Sequence, residues 1–297
     1  MNDRPFFSIV VPAFNRSAQL HIALSSVLAQ KNKNFEVIVV DDGSTDNTRA
    51  MVAVLQKTDG RIKYFFKENA ERSIARNYGI AKACGNYVGF LDSDDIVYPN
   101  HLSVSYELLK RNGFPEVGHL GFEQVDSLGN FISARCDLDE SFSKKLISEN
   151  ILHCNAIFIR EDIAKKINFI PSTAAIISED WYLWLKLASR FKFHFDNTVT
   201  SAVVQHGHRS LMNIDPDKLV ASTHVVVEYL KMDIPFLKRY KNRIGYHFAN
   251  HFTFLALTLA LTRPRRWDTL KYLLNAMEYD PTVIFRKRFL ASIKHFL

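Results

Sequence analysis

The chain has 297 residues, of which 47% are hydrophobic and 23% charged, an ordinary composition for a globular protein with a sizeable core. Its net charge of +7 is moderate, and the N-terminal half does not alternate basic with aromatic residues, so nucleic acid is not an expected partner. Three widely spaced cysteines form neither a metal motif nor a disulfide framework, which predicts a reducing compartment, the cytoplasm.

The first hundred residues alternate between predicted strands and helices. Apolar runs predict four strands, and helical segments follow the first three of them. The predicted strands are 6–12, 35–40, 61–66 and 87–91, and the predicted helices are 15–30, 47–57 and 73–83. This alternation favours a doubly wound α/β sheet, in which ligands bind beyond the carboxyl ends of the strands.

The pattern loosens beyond residue 99 and becomes wholly helical near the C-terminus. Helices are predicted at 101–110 and 181–188, strands at 119–125, 131–134 and 151–160, and two strand-like pieces within 191–205. We expect a first domain over 1–214 and a helical region over 215–297. No run of about 18 apolar residues could span a membrane, and the N-terminus lacks the pattern of a signal peptide.

An acidic cluster follows the fourth predicted strand. Residues 92–95, Asp-Ser-Asp-Asp, place three carboxylates within four positions. Side chains two apart on a strand project from one face, so Asp92 and Asp94 are expected to converge. Crowded carboxylates repel each other unless a cation lies between them, and a hard divalent ion that also binds phosphate oxygens would relieve that repulsion. An acidic turn that caps the next helix, with Asp95 as the cap, is the alternative, and these residues alone leave both open.

A second acidic loop, residues 41–46, follows the second predicted strand. A turn and a capped helix would explain its glycine, serine and threonine, but not two aspartates directly at the strand end. A carboxylate such as Asp41 can accept hydrogen bonds from a base or a ribose hydroxyl. Because neither GxGxxG nor GxxxxGK[ST] occurs, a pyrophosphate would be held through metal at Asp94 and by Arg72 and Arg76.

Three segments, in this order and spacing, resemble the family 2 glycosyltransferases. They are SIVVPAFNR at 8–16, VIVVDDGSTDNT at 37–48 and ARNYGIAKACGNYVGFLDSDD at 75–95. The similarity covers roughly residues 6–210. It implies the GT-A fold, a doubly wound mixed sheet with a nucleotide-binding half over 1–98 and an acceptor-binding half over 99–214, followed by the C-terminal helical appendage. The motifs are almost silent on the sugar and the acceptor.

The resemblance also implies a set of site residues and a divalent metal cofactor, Mn²⁺ or Mg²⁺. The nucleotide would be bound by Pro12, Phe14, Arg16, Asp41, Ser44, Arg72, Arg76, Asp92 and Ser93. The metal would be bound by Asp94 with His206 and His208, and Arg209 in the same loop would contact the diphosphate. One departure is Asn69-Ala70-Glu71, where the family often has Asn-x-Gly.

Glu179 and Asp180 resemble the family's "ED" motif, whose aspartate is the catalytic base of inverting members. An acceptor hydroxyl must lose its proton as it attacks the anomeric carbon. A carboxylate at a helix N-terminus is held ionised and fixed in position. An ordinary helix cap is the alternative on these two residues alone; with the resemblance, Asp180 is the predicted base and Glu179 its support.

Together these features predict an inverting, metal-dependent glycosyltransferase. It would transfer a single sugar from a nucleotide diphosphate sugar, UDP-linked, to a hydroxyl of a glycan or lipid-linked acceptor in cell-surface polysaccharide synthesis. Single transfer is favoured because the QxxRW motif of processive relatives does not occur. A nucleotidyltransferase on a related sheet and a non-catalytic nucleotide-sugar-binding protein are the alternatives.

The C-terminal helical region suggests where the protein works. Basic clusters at 263–266 and 286–288 stand beside apolar helices, which predicts peripheral contact with the inner face of the cytoplasmic membrane. The markedly apolar segment 247–262 is alternatively a homodimer interface.

Overall fold

The computed structural model describes residues 4–205, 215–262 and 266–296. The chain divides into two compact units. The first comprises residues 1–142, 151–173 and 191–209, and the second comprises 143–150, 174–190 and 210–297. The segments 143–150 and 174–190 therefore group with the C-terminal helices, whereas the boundary predicted at residue 214 placed them in the acceptor-binding half.

One mixed sheet forms the first unit, and nine strands of the described chain contribute to it. The strands are β1 Phe7–Ala13, β2 Phe35–Asp41, β3 Ile62–Phe66, β4 Tyr87–Phe90, β5 Ile96–Val97, β6 Val117–Asp126, β7 Phe131–Arg135, β8 Ile157–Arg160 and β9 Phe193–Gln205. Their order is β3-β2-β1-β4-β8-β6-β9-β5, and β7 pairs with β6. The four strands predicted in the first hundred residues are confirmed within one residue at each end.

Parallel pairing brings the carboxyl ends of the first strands to one edge. β1 pairs in parallel with both β2 and β4, and Val10 lies opposite Ile38 and Phe90. The apolar runs of β1 and β2 are buried because the sheet is covered on both faces. β8 then pairs antiparallel with β4, so the sheet is mixed beyond this point. The loops after β1, β2 and β4 consequently lie at the same edge of the sheet.

Helices connect the strands of the first unit. They are α1 Ser17–Leu28, α2 Thr48–Thr58, α3 Glu71–Lys82, α4 His101–Arg111 and α6 Glu161–Lys166, with α5 Phe142–Leu146 at the boundary between the units. α3 lies unusually close to β1, because a Cβ added at Gly79 would stand 2.3 Å from Cγ1 of Val10. This close approach sets the position of Arg76, one turn earlier on α3.

Two predictions for the middle of the chain are wrong in detail. Residues 193–205 form one strand and not two pieces. The register of the pairing between this strand and β6 shifts around Gly121. A Cβ at Gly121 would lie 2.6 Å from the carbonyl oxygen of Asn197, so only glycine fits opposite this irregularity. The predicted strand 151–160 begins as a 3-10 turn at Cys154–Ala156 and becomes β8 only at Ile157.

The second unit is helical, as predicted for the C-terminal region. Its helices are α7 Glu179–Ala188, α8 Pro216–Lys231, α9 Ile234–Arg239, α10 Ile244–Thr262, α11 Arg266–Tyr279 and α12 Lys287–Phe296, with a 3-10 turn at Pro281–Phe285. The apolar face of α10 packs against α8, α11 and α12 and buries Phe248, Phe252, Leu255 and Leu259. Packing within the chain thus accounts for the apolar character that suggested a homodimer interface. Among the described residues, none of the helices is long and apolar enough to cross a membrane.

Candidate active site

The loop after β2 is built around the buried carboxylate of Asp41. This side chain accepts hydrogen bonds from the Tyr64 hydroxyl at 2.6 Å and from the backbone N–H of Ser44 at 2.8 Å. Burial and this hydrogen bond raise the pKa of Tyr64, so the phenol keeps its proton. The Ser44 hydroxyl accepts a bond from the backbone N–H of Asn15 at 2.9 Å. The loops after β1 and β2 are therefore connected by a hydrogen bond, and Asp41 fixes the conformation of the loop after β2.

The loop after β1 carries an exposed aromatic ring. Pro12 is half-buried near the end of the strand, and Phe14 is 45% exposed immediately after it. Asn15 adopts a positive φ of 51°, and its side-chain oxygen accepts the backbone N–H of Thr45 at 2.8 Å. This hydrogen bond holds the loop after β1 against the loop after β2, while the Phe14 ring remains exposed at the edge of the sheet.

The acidic cluster is a turn and not a continuation of the strand. β4 ends at Phe90, and the N–H of Asp95 donates to the carbonyl of Asp92 at 3.1 Å. The strand alternation from which Asp92 and Asp94 were expected to converge therefore does not apply, because both residues lie beyond the end of β4. Asp92 forms an ion pair with Arg76, whereas Asp94 forms one with Arg16.

Asp95 is not a helix cap, contrary to the expectation. The next helix, α4, begins only at His101, and Asp95 is fully buried. Its two carboxylate oxygens accept bonds from the backbone N–H of Val204 at 2.9 Å and from the side chain of Asn155 at 2.8 Å. Asn155 also accepts the backbone N–H of Asp92 at 3.1 Å, so this buried pair fixes the turn to β9.

Arg76 is the cation at the centre of the site. Its side chain is 2% exposed and donates to Oδ1 of Asp92 at 2.6 Å. Its guanidinium lies 5.2 Å from the ring centre of Phe169. Burial is the largest single influence and alone would raise the pKa of Asp92, but the charges of Arg76, His153 and Arg72, together with the hydrogen bond from Arg76, hold that pKa well below its usual range. Asp92 is consequently ionised at neutral pH.

One group among the described residues has the composition of a metal site. Ligand atoms of Asp92, Asp95 and His153 all lie within 4.8 Å of one another. Two carboxylates and an imidazole suit a cation such as Mn²⁺. However, both oxygens of Asp95 already accept protein hydrogen bonds, and the buried charge of Arg76 is paired with Asp92.

Asp94 is the carboxylate of the turn that a cation can reach at the lower cost. The Arg16 side chain of its ion pair is 24% exposed, compared with 2% for Arg76. Breaking a buried pair costs about 3–5 kcal/mol, whereas an exposed pair contributes only about 0–1 kcal/mol. A metal ion would therefore displace Arg16 from Asp94 more readily than Arg76 from Asp92. The donor set of the turn fits a divalent cation, with Asp94 as the ligand whose arginine partner is the more exposed.

Two more predicted nucleotide residues lie at the same edge. Arg72 is half-buried on the first turn of α3, and its charge contributes to lowering the pKa of Asp92. Ser93 is buried within the turn. The predicted loop residues His206, His208 and Arg209 lie outside the described residues.

Glu179 and Asp180 belong to the second unit. They open α7 after Ser178, which has a positive φ of 60°. Glu179 is buried, while Asp180 is half-buried and accepts a bond from the Asn150 side chain at 3.1 Å. Asp180 therefore stands in the first turn of a helix, where the helix dipole favours an ionised carboxylate.

Three residues of these networks were missed by the sequence analysis. His153 and Asn155 lie in a segment that was interpreted as an apolar strand, and Asn150 lies in a turn after α5. A buried asparagine between apolar residues could have signalled a polar contact, because buried amides are rarely left without partners. For Asn150 there is no such signal, since its relation to Asp180 depends on the tertiary structure.

Comparison with known proteins identifies the family. A model of the glycosyl transferase family 2 matches residues 8–165, more than half of the chain. The chain belongs to glycosyl transferase family 2. The match runs from β1 to α6 and includes the loops after β1, β2 and β4 described above. It confirms the resemblance that the three sequence motifs indicated.

Curated glycosyltransferases are 28% to 30% identical to this chain over the aligned residues. An uncharacterized glycosyltransferase of Rickettsia felis is 28% identical over 270 residues, which is 89% of this chain and 42% of the relative. The UDP-Glc:alpha-D-GlcNAc-diphosphoundecaprenol beta-1,3-glucosyltransferase WfgD of Escherichia coli is 30% identical over 184 residues, 61% of this chain and 68% of that enzyme. The chain thus spans about two-fifths of the Rickettsia relative.

Solved glycosyltransferase structures share the fold. S. aureus TarS 1–349 in complex with UDP-GlcNAc gives a TM-score of 0.66 at 19% identity, covering 93% of this chain and 90% of that one. The mannosyltransferase PcManGT of Pyrobaculum calidifontis, in complex with GDP-Man and Mn²⁺, gives 0.58 at 15% identity, covering 98% and 86%. The predicted GT-A fold of this family 2 chain is confirmed.

Proposed function

We propose that this family 2 chain transfers a single sugar, with inversion, from a UDP-sugar to a hydroxyl of a lipid-linked glycan acceptor. The observation that carries the proposal is the acidic turn after β4, where Asp92 and Asp94 each form an ion pair with an arginine at the carboxyl edge of the sheet. The Escherichia coli relative named above supports the donor and acceptor classes. Membership of family 2 removes the nucleotidyltransferase alternative.

The first unit offers groups suited to a nucleotide diphosphate. The exposed ring of Phe14 can lie against a base, and Asp92 can accept a ribose hydroxyl. Arg72 and Arg76 supply positive charge close to the turn. A divalent metal bound at Asp94 would neutralise the charge that develops on the leaving diphosphate. Arg16, once displaced from Asp94, becomes available to the phosphates.

Asp180 of the second unit is the proposed base. Its position in the first turn of α7 favours the ionised form, which can accept the proton of an attacking hydroxyl. Direct attack on the anomeric carbon from the side opposite the diphosphate inverts the configuration. Glu179 is buried beside it, so its role is to fix the start of the helix.

The donor assay tests the function as a whole. The purified chain is incubated with UDP-glucose, UDP-galactose, UDP-N-acetylglucosamine or GDP-mannose, with Mn²⁺, Mg²⁺ or EDTA, and the released nucleotide is measured. We expect turnover of a UDP-sugar that requires a divalent metal and is lost in Asp94→Asn. Absence of turnover and of nucleotide binding across the whole panel would refute the proposal.

A separate pair of variants tests the base. Asp180→Asn should lower kcat by about 10²–10⁴-fold while the KM for the donor changes little, because the amide cannot accept the proton. Glu278→Gln is the matched control, since it removes an exposed carboxylate from α11 of the same unit. Equal activity of the two variants would remove Asp180 from the mechanism and leave the donor chemistry untouched.

The distribution of charge supports work at an anionic membrane surface. In residues 1–214, 24 lysines and arginines are balanced by 24 aspartates and glutamates, whereas residues 215–297 contain 14 basic and 7 acidic residues. The entire net charge of +7 therefore resides in the C-terminal region. Basic residues near anionic lipid each contribute about 1 kcal/mol to membrane binding.

Apolar side chains stand exposed beside this charge. Trp267 is 82% exposed and Phe285 80% exposed, and Leu290 is exposed between the basic residues of α12. The Arg288 guanidinium lies 5.8 Å from the ring centre of Phe254, so α12 brings positive charge onto an exposed ring of α10. We propose that these side chains enter the headgroup region while the basic residues bind anionic lipid.

Vesicle sedimentation tests this surface. The chain should bind vesicles containing phosphatidylglycerol, bind neutral phosphatidylcholine vesicles less, and be released by salt. Phe285→Ser should weaken binding, whereas Leu128→Ser, which alters a leucine 85% exposed in the first unit, should not. Equal binding by both variants would refute the role of this surface in membrane binding. Dimerisation that covers the surface would be detected by light scattering.

A further inference from the structure

The segment 143–150 is held by side chains from two helices of the second unit. The indole N–H of Trp181 on α7 donates to the carbonyl of Leu146 at 2.7 Å. His247 on α10 bonds through Nδ1 to the carbonyl of Ile147 at 2.8 Å. Two adjacent carbonyls thus bind donors from different helices, so this short segment is fixed relative to the start of α7.

A buried histidine pair completes this support. Because a carbonyl can only accept, Nδ1 of His247 carries the proton, which leaves its Nε2 as an acceptor. Nε2 of His251 lies 3.2 Å from that nitrogen and is therefore the donor. Burial lowers the pKa of His247 to about 4, so the pair is neutral at neutral pH. The ring of Trp181 packs edge-on against His247, with centroids 4.8 Å apart.

Asn150 lies at the end of this segment and contacts the proposed base. Its amide nitrogen donates to Oδ2 of Asp180 at 3.1 Å. The backbone N–H of Trp181 donates to Oδ1 of the same carboxylate at 2.6 Å. Each carboxylate oxygen has more than one acceptor site, so both can still receive a further proton. The plane of the carboxylate is thus defined by two donors on opposite oxygens.

We propose that Asn150 is a positioning residue that orients the Asp180 carboxylate for removal of the acceptor proton. This inference rests on the role of Asp180 as base stated above. The terminal torsion of an aspartate is broad, so each donor that binds the carboxylate restricts its rotation. A second donor on a fixed segment selects one orientation and favours the ionised form. Trp181 and His247 act one step further away, because they hold the segment that carries Asn150.

If Asn150 had a merely structural role, changing it would lower the stability of the second unit together with turnover. Asn150 is exposed, so losing its amide leaves no buried group without a partner. The stability of the unit should therefore change little when the amide is removed. A loss confined to turnover would separate positioning from folding.

The experiment uses Asn150→Ala, Asn150→Asp and Ser148→Ala in the full chain. The substrate is whichever of UDP-glucose, UDP-galactose and UDP-N-acetylglucosamine turns over fastest, with water as the acceptor. Asn150→Ala should lower kcat about tenfold with an unchanged KM for the donor and an unchanged melting temperature. Asn150→Asp keeps the shape but opposes Asp180 with a second carboxylate, and should lower kcat further. Ser148→Ala, on the same segment, should match the unaltered chain.

The outcomes separate this inference from the proposed base. If Asp180→Asn is inactive while Asn150→Ala and Asn150→Asp both keep full kcat, Asn150 does not position the base. If both variants lose kcat and both also melt at a lower temperature than the unaltered chain, Asn150 has a structural role instead. Full activity of Asp180→Asn overturns the role of the base itself, whatever Asn150 does.

Discussion

The two arginine–aspartate pairs of the acidic turn should differ sharply in their contribution to stability. The perturbation is the same at both sites, since Arg76→Met and Arg16→Met each replace a guanidinium with an uncharged side chain of similar length. Each substitution leaves one carboxylate of the turn without its arginine. Only the burial of the two pairs differs.

The magnitude follows from that burial. The Arg76 side chain is 2% exposed and that of Asp92 21%, whereas the Arg16 side chain is 24% exposed and that of Asp94 10%, so the two pairs differ chiefly in the burial of the arginine. Arg76→Met should cost about 3–5 kcal/mol, because Asp92 loses the buried guanidinium whose charge offsets the effect of burial on its carboxylate. Arg76 also loses its position over the Phe169 ring, which adds about 0.5–2 kcal/mol. Arg16→Met should cost no more than about 1 kcal/mol, since solvent screens a partly exposed pair.

Urea unfolding followed by circular dichroism measures the difference. Tryptophan fluorescence is unsuitable, because Trp181, Trp184 and Trp267 all lie in the second unit. Hydrogen exchange measured on peptides covering residues 87–95 would locate the loss. We expect faster exchange there in Arg76→Met and little change in Arg16→Met.

Equal free energies of unfolding for the two variants would refute this reasoning. Such a result would mean that burial does not distinguish the two pairs. A metal ion would then displace Arg16 from Asp94 no more easily than Arg76 from Asp92. A smaller loss of unfolding free energy in Arg76→Met than in Arg16→Met would mean that the Arg16–Asp94 pair contributes more to stability than the Arg76–Asp92 pair.

Two further predictions concern the two units separately. In the second unit the folded pKa of His247 is about 4, below its ordinary value near 6.5, so the unfolded chain binds more protons between these values. The free energy of unfolding, followed by tryptophan fluorescence, should fall by about 3 kcal/mol as pH drops from 6.5 to 4. In His247→Asn it should fall less steeply. Equal dependence of the unfolding free energy on pH in the two proteins would contradict this prediction. In the first unit, Gly79→Ala should cost about 1–3 kcal/mol and weaken nucleotide binding, because its Cβ would meet Val10. Gly60→Ala, where a Cβ meets nothing within 4 Å, is the control, and an equal effect would contradict the close packing of α3.

Much of the first unit could be predicted from local pattern. Buried parallel strands are apolar throughout, so the runs at β1 and β2 were visible without a structure. The polar loops after β1, β2 and β4 follow from the same alternation, because parallel strands end at one edge. The family was visible in the same segments, since the three motifs lie in these loops.

The details of the acidic turn could not be predicted in the same way. The sequence shows three aspartates but not where β4 ends, and the assumption of continued strand alternation paired Asp92 with Asp94. The structure instead buries Asp95 against Asn155, a residue 60 positions away. Contacts over such distances depend on the register of β8 beside β4, which no local pattern records.

The sequence by itself determined the α/β alternation, the edge where the site lies and the family, because each is written in residues that are close together in the chain. Only the tertiary structure decided which carboxylate of the turn is paired with a buried arginine and which donor meets Asp180. The physical reason is that burial distinguishes Arg76 from Arg16 and that the fold of the second unit brings Asn150 to Asp180 across 30 residues of chain.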